Sequence, residues 1–188
     1  MLAFGSELCG LVYARGTVGV VTSKLFATIE KDPAVLALLV IDADFGVASK
    51  SNYRQDRQGR ARWKELSSFE QVLAATARAQ RPNHWPELDS GVPLAQRPVF
   101  VASIVASTTL DAANVPKSVT DALEGVCYVD DAAVRFVSSC TRRKREPKFT
   151  LALAALSPLG TDLIGGEMTL ARIGAELSVA TMQRFAQA

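Results

Sequence analysis

Residues 111–134 hold the densest gathering of groups able to do chemistry in this chain. Asp111 follows a strand-like apolar run, Asn114, Lys117 and Asp121 come next, and the segment closes on the neighbouring acids Asp130 and Asp131. Carboxylates without a histidine or paired cysteines among them form an oxygen-only donor set, which suits a hard divalent ion such as Mg²⁺. A lysine, Lys117, lies between the two groups of acids. Serine or cysteine hydrolysis fits poorly. The only histidine, His84, sits in a connection punctuated by proline and glycine, with no nucleophile beside it.

Using these groups requires the segment to read strand, helix, strand. Residues 98–109 place Phe100, Ala102, Ile104 and Ala106 on one face of a strand. Asn114 reads as a helix N-cap, Pro116 falls in the first turn where its missing N–H costs little, and Gly125 reads as the stop. A helix flanked by strands is expected to return the chain to the region it left, so the opening and closing acids should converge. Lys117 and Asp121 lie on one helical face and could also simply pair with each other. Asp42 and Asp44, at the end of an apolar run over 35–41, form a weaker second acid pair, because acids at a strand's solvent end are commonplace.

The chain has 188 residues, 48% hydrophobic and 21% charged, with a net charge of +2, which describes one globular core rather than a polycation. Its positive charge is nonetheless concentrated. Lys50, Arg54, Arg57, Arg60, Arg62 and Lys64 form one block, and Arg142, Arg143, Lys144, Arg145 and Lys148 form another. Alone, such blocks read as solvated loops. Beside an acid cluster they suit a polyanion, since a nucleic-acid enzyme needs cations on phosphates and acids on metal. Tyr53 among the arginines adds a surface for stacking. Cys9, Cys127 and Cys140 show no ligand spacing and read as free thiols in a reducing compartment. No apolar run reaches the ~20 residues needed to span a bilayer. The apolar stretch 4–12 lacks a basic lead, so the expected location is the cytoplasm, with no membrane partner.

Elsewhere, residues 8–13 and 17–22 read as short strands around an Arg15-Gly16 turn, and 35–41 as a buried strand. Residues 46–62 read as a polar, basic loop, followed over 63–80 by a helix with a Leu66, Phe69, Leu73, Ala77 stripe. Residues 134–141 and 149–155 read as strands joined into a hairpin by the basic loop 142–148. A C-terminal helix with Leu170, Ile173, Leu177, Met182 and Phe185 on one side should pack back on the domain or on a partner subunit.

Written as Asp-x-x-Asn-x-x-Lys-x-x-x-Asp-Ala-Leu and then Gly-Val-x-Tyr-x-Asp-Asp-x-x-Val, residues 111–134 resemble the RusA family of Holliday-junction resolvases. These are small endodeoxyribonucleases of bacteria and their phages. A looser likeness takes in the 35–41 strand, the basic loop, the helix to Gln80 and the strand before Asp111. The resemblance implies an α+β fold, a mixed β-sheet with packed helices, and a homodimer. The nuclease domain would span 34–158, between an N-terminal extension over 1–33 and a C-terminal helical extension over 159–188. It further implies binding of four-way DNA junctions and symmetrical cleavage of two strands with Mg²⁺, with Mn²⁺ as a possible substitute. Asp111 and Asp131 would be metal ligands and Asp130 would assist them. Lys117 would stabilise charge at the scissile phosphate, with Asn114 and Asp121 in support. Lys50, Arg54, Arg57, Arg60, Arg62, Arg142, Arg143, Lys144 and Arg145 would bind the DNA arms, with affinity that falls steeply with salt. One departure stands out: Ala113 occupies the place of a second family acid. The chain is therefore expected to be a metal-dependent endonuclease, or else a non-cleaving junction-binding protein with a degenerate site. The bland third reading is an assembly domain whose acids cap helices and hydrate loops.

Overall fold

Three strands are apolar on both sides and one is not, and this difference sets the sheet. β1 (Val35–Ala43), β2 (Val99–Ser107) and β4 (Lys148–Leu156) are buried over most of their length, whereas β3 (Val134–Arg142) is half-exposed throughout. The computed structural model describes residues 18–48, 57–89, 91–108, 110, 112–142, 147–158 and 163–187. Among them, α1 (Val18–Glu30), α2 (Arg57–Gln80), α3 (Val115–Leu123) and α4 (Leu163–Gln187) flank a single sheet of order β1-β4-β2-β3. β4 runs antiparallel to both β1 and β2, while β2 and β3 are parallel. The fold is the expected α+β arrangement with a mixed sheet. No helix among the described residues is long and apolar enough to cross a membrane.

Each sheet face has its own core. Leu39, Ile41, Phe100, Ile104, Leu151 and Leu153 point to one side, where Leu66, Phe69 and Leu73 of α2 and Val115, Val119 and Leu123 of α3 cover them. Leu38, Val101, Ala152 and Ala154 point to the other, under Phe26 and Ile29 of α1 and Leu170, Ile173 and Leu177 of α4. Burying a side chain of this size contributes ~1.5–3 kcal/mol, so neither layer is decoration. α4 lies close to the sheet, and Gly174 shows how close: a Cβ there would meet the Phe136 ring at 2.5 Å. Arg172 pins the same helix to Asp32 at 2.6 Å, and Arg184 pins it to Asp42 at 2.8 Å. The Ala34 N–H and then Arg172 hold the Asp32 carboxyl below the usual carboxylate range, against the opposing effect of burial.

Three expectations need correction. β3 and β4 do not form a hairpin, because β2 lies between them: Ser107 has Arg142 on one side and Lys148 on the other. The all-apolar β4 takes an interior position with neighbours on both edges, and the half-polar β3 takes the rim. Val18–Thr22 is not a strand but the first turn of α1. Its β-branched residues favour extended chain, yet Phe26 and Ile29 at helical spacing dock on α4 and override that preference. The basic stretch is not all loop either: Arg57, Arg60, Arg62 and Lys64 belong to α2, where arginine, glutamine and alanine are good helix formers. The strand read over 8–13, the turn at 15–16 and Tyr53 lie outside the described residues.

Candidate active site

α3 forms because Val115, Val119 and Leu123 recur at helical spacing and bury against the sheet, with Pro116 in its first turn. Its outer side carries Lys117 and Asp121, whose Nζ and Oδ2 lie 3.6 Å apart, the lysine largely in solvent. Asn114 stands at the N-cap position, but its φ of −91° and ψ of −20° are already helical and its side chain makes no capping bond. Side-chain capping needs an extended residue there, and the turn over 112–114 leaves none. Gly125, at φ +70°, ends the helix as its type predicts.

The turn that follows is braced from several directions. The Tyr128 hydroxyl, 1% exposed as a residue, donates to Thr120 O at 2.7 Å. Its ring lies 5.2 Å from Phe100, which in turn stacks on Trp85 at 6.0 Å. Trp85 Nε1 donates to Cys127 O at 2.9 Å, and Arg81 Nη1 donates to Val126 O at 2.5 Å. The Gly125 N–H closes the turn on Tyr128 O at 2.8 Å. Burial pushes the Cys127 thiol up to about 12, with Arg81 pulling slightly the other way. Burial raises the Tyr128 phenol too, and the negative charges of Asp131, Asp121 and Glu124 add to it. Both groups stay protonated across the working range.

Asp130 and Asp131 sit exposed at the end of this braced turn. Asp130 is extended, and its Oδ1 accepts from the Ala132 N–H at 2.8 Å, capping the short 3₁₀ turn Asp131–Ala133. The carboxyl of Asp130 is therefore aimed by its own backbone. The opening half has its own ties among the described residues. Ser139 Oγ donates to Ala112 O at 2.8 Å, and the Leu110 N–H donates to Thr108 Oγ1 at 3.1 Å. Ala113 is exposed, and Asp111 lies outside the described residues.

On the opening side the described neighbour of Asp111 is Ala112, and it lies at a different level of β3 from the closing acids. Ser139, which touches Ala112, pairs with Ile104, whereas Val134, next to the closing acids, pairs with Phe100. At the usual rise, ~16 Å of strand separates those levels. The expected convergence of Asp111 with the closing acids falls on a residue outside the described ones. A helix joining parallel strands returns the chain to the start of the sheet, not to the end it left. Among the described residues no three His, Cys, Asp or Glu side chains gather as a metal site. Asp130 and Asp131 are nonetheless hard oxygen donors of the right type, and Mg²⁺ commonly binds through one or two carboxylates plus water and phosphate.

Of the expected DNA-binding cations, Arg142 is described and half-buried at the end of β3. Lys50, Arg54, Arg143, Lys144 and Arg145 lie outside the described residues, and Arg57, Arg60 and Arg62 are placed only by their positions on α2. Asp42 is a fold contact, taken by Arg184 and by Thr150 Oγ1 at 2.9 Å. Sequence reasoning missed Trp85 and Tyr128 as the braces of the closing acids. Their signal was an aromatic with a polar tip between turn residues, which must find a partner when buried.

A family model described as Endodeoxyribonuclease RusA matches residues 45–153, more than half of the chain. The chain belongs to the RusA family. The matched stretch takes in α2, β2, α3, β3 and most of β4, with Lys117 and both closing acids, and leaves α1, β1 and α4 outside it. RusA membership supports endonuclease action on branched DNA. A search of curated proteins finds no match. Among solved structures, a GTPγS-form protofilament of Bacillus thuringiensis serovar israelensis TubZ is similar at 15% identity and a TM-score of 0.30. That likeness covers 80% of this chain and 31% of the TubZ chain, and at so low a score it carries no argument.

Proposed function

We propose that this RusA-family protein cuts four-way and related branched DNA by metal-assisted phosphodiester hydrolysis, as a homodimer whose two sites are each shared between chains. The observation that carries this reading is that Ala112 lies at the level of Ser139 while the closing acids precede Val134, in a chain whose residues 45–153 match the family. Two copies facing each other would let Asp111 and Lys117 of one chain meet Asp130 and Asp131 of the other.

In that arrangement Asp131, Asp130 and Asp111 would hold Mg²⁺, or Mn²⁺ in its place. When bound, the ion would polarise a phosphoryl oxygen and lower the pKa of attacking water. Lys117 rests against the half-buried Asp121 at 3.6 Å with its own side chain largely in solvent, so it is free to turn to a phosphate. There it would offset charge on the leaving oxygen. Asn114 and Asp121 would orient the lysine's turn of helix. The basic stretches on the first turns of α2 and around residues 142–145 would carry the DNA arms. Residues 34–158 would form the nuclease unit and act in the cytoplasm, with 1–33 and 159–188 appended to it.

The test is to mix chains carrying Lys117→Ala with chains carrying Asp131→Asn and to assay Mg²⁺-dependent nicking of a labelled junction. Each variant alone should be inactive, and the mixture should regain nicking at one site per dimer. A mixture as inactive as its components would exclude the shared site. Exposed Ala113 favours a second reading, a junction-binding protein that does not cut. It predicts salt-sensitive binding with no nicking by wild type at any Mg²⁺ or Mn²⁺ concentration.

A further inference from the structure

A cavity of about 280 Å³ opens beside Asp130, between the connection over 86–98 and the braced turn before β3. Its walls include Leu88, Val92, Phe100 and Tyr128, the two aromatics almost sealed from solvent. Three carboxylates, Glu87, Asp89 and Asp130, stand around it, with Arg97 the single cation. Asp89 Oδ1 accepts from the Gly91 N–H at 2.7 Å and Asp130 Oδ1 from the Ala132 N–H at 2.8 Å, so each acid is oriented by its own turn. Arg97 Nε donates to Val92 O at 2.6 Å, stitching the wall together.

An apolar slot rimmed by acids repels phosphate and suits a flat ring that brings N–H donors. Its volume sits at the small end of ligand pockets, enough for one ring system. A carboxylate that accepts from an exocyclic amino group is the usual way an acid reads a base. A base paired and stacked inside a duplex cannot insert its ring into this slot, whereas one unstacked at a branch point can. We propose that this cavity receives one unstacked base bearing an exocyclic amino group, and so selects where the strand is cut. Placing that base next to the scissile phosphate rests on the nuclease reading above; the chemistry of the pocket does not.

The chain has two tryptophans, and Trp85 stacks on the pocket's Phe100, so in a Trp63→Phe background its emission reports occupancy. Single-stranded trinucleotides of cytosine or adenine should give a saturable change, with thymine at least about tenfold weaker, the discrimination one base contact supplies. Asp89→Asn should erase the preference, and Val92→Phe, which fills the slot, should erase the binding. In a second arm, wild-type cuts mapped on junctions with randomised bases should cluster beside an amino-bearing base, and the bias should flatten in Asp89→Asn. Equal response to thymine, indifference to Val92→Phe, or cuts without base bias would overturn the inference. Selective trinucleotide binding by a protein that cuts no junction would leave the pocket standing and remove the nuclease reading alone.

Discussion

The two turns at the ends of α3 are built to different standards. The one after the helix is tied by Tyr128, Trp85 and Arg81 to three backbone carbonyls, and its acids ride on a capped 3₁₀ turn. Among the described residues, the one before the helix is held by the Ser139 hydroxyl, a short Thr108 turn and the Thr108 N–H on Arg142 O, with an N-cap residue that does not cap. A carboxylate pair that must hold an ion needs its geometry in place beforehand, and buried hydrogen bonds supply that. The opening side leads into the exposed charge, Lys117, whose reach does not need the same bracing. Rigidity is spent where the metal is proposed to sit.

The largest expected effect tests that assignment directly. Asp131→Asn should lower junction cleavage at least ~100-fold while junction binding in a gel shift changes only a few-fold, because a metal role adds charge stabilisation that binding does not need. Loss of binding in parallel would move Asp131 out of the metal site. Next, Ala113→Asp restores a carboxylate on the opening side, and should raise cleavage about tenfold at limiting Mg²⁺ and much less at saturation. If the Mg²⁺ dependence is unmoved, the opening turn is not beside the ion.

Stability variants compare the two turns more gently. Tyr128→Phe removes a buried hydrogen bond and should cost about 1–2 kcal/mol in urea unfolding, against less than about 1 for Ser139→Ala at its half-buried bond. Equal costs would erase the contrast. The smallest effect is in pH. The folded-state pKa values of Cys127 and Tyr128 are raised, so above about pH 9 the unfolded chain loses protons that the folded chain keeps, and stability falls as pH rises. Tyr128→Phe should show a shallower decline than wild type in urea midpoints measured from pH 8 upward. A decline of the same slope would mean that Tyr128 ionises freely in the folded protein.

Much of this was written in the residues, and the failures share a cause. Uninterrupted apolar runs marked β1, β2 and β4, Pro116 and Gly125 marked the ends of α3, and the spaced acids and lysine pointed to the family that the match over 45–153 establishes. Periodicity says which faces are apolar, not which strand lies beside which. That is why β3 and β4 looked like a hairpin although β2 separates them. Nor does periodicity say at which level of β3 the opening turn lies, which the bond from Ser139 to Ala112 O sets. In α1 the local β preference of Val18, Val20 and Val21 lost to docking on α4, a contact that no window of neighbouring residues can reveal.

The interior place of β4 reaches into how the chain is made. It is the last of the described strands to be made, yet it bridges β1 to β2, joining Leu38 to Ala154 across a long stretch of the polypeptide. Contacts so remote in sequence form slowly, because the chain must first lose the freedom of everything between them. A nascent chain arrested with only residues 1–147 outside the tunnel should be cut by protease as readily as an unfolded one. Protection should arrive abruptly once β4 and α4 emerge, and gradual protection from β1 onward would contradict a sheet that closes at its centre last.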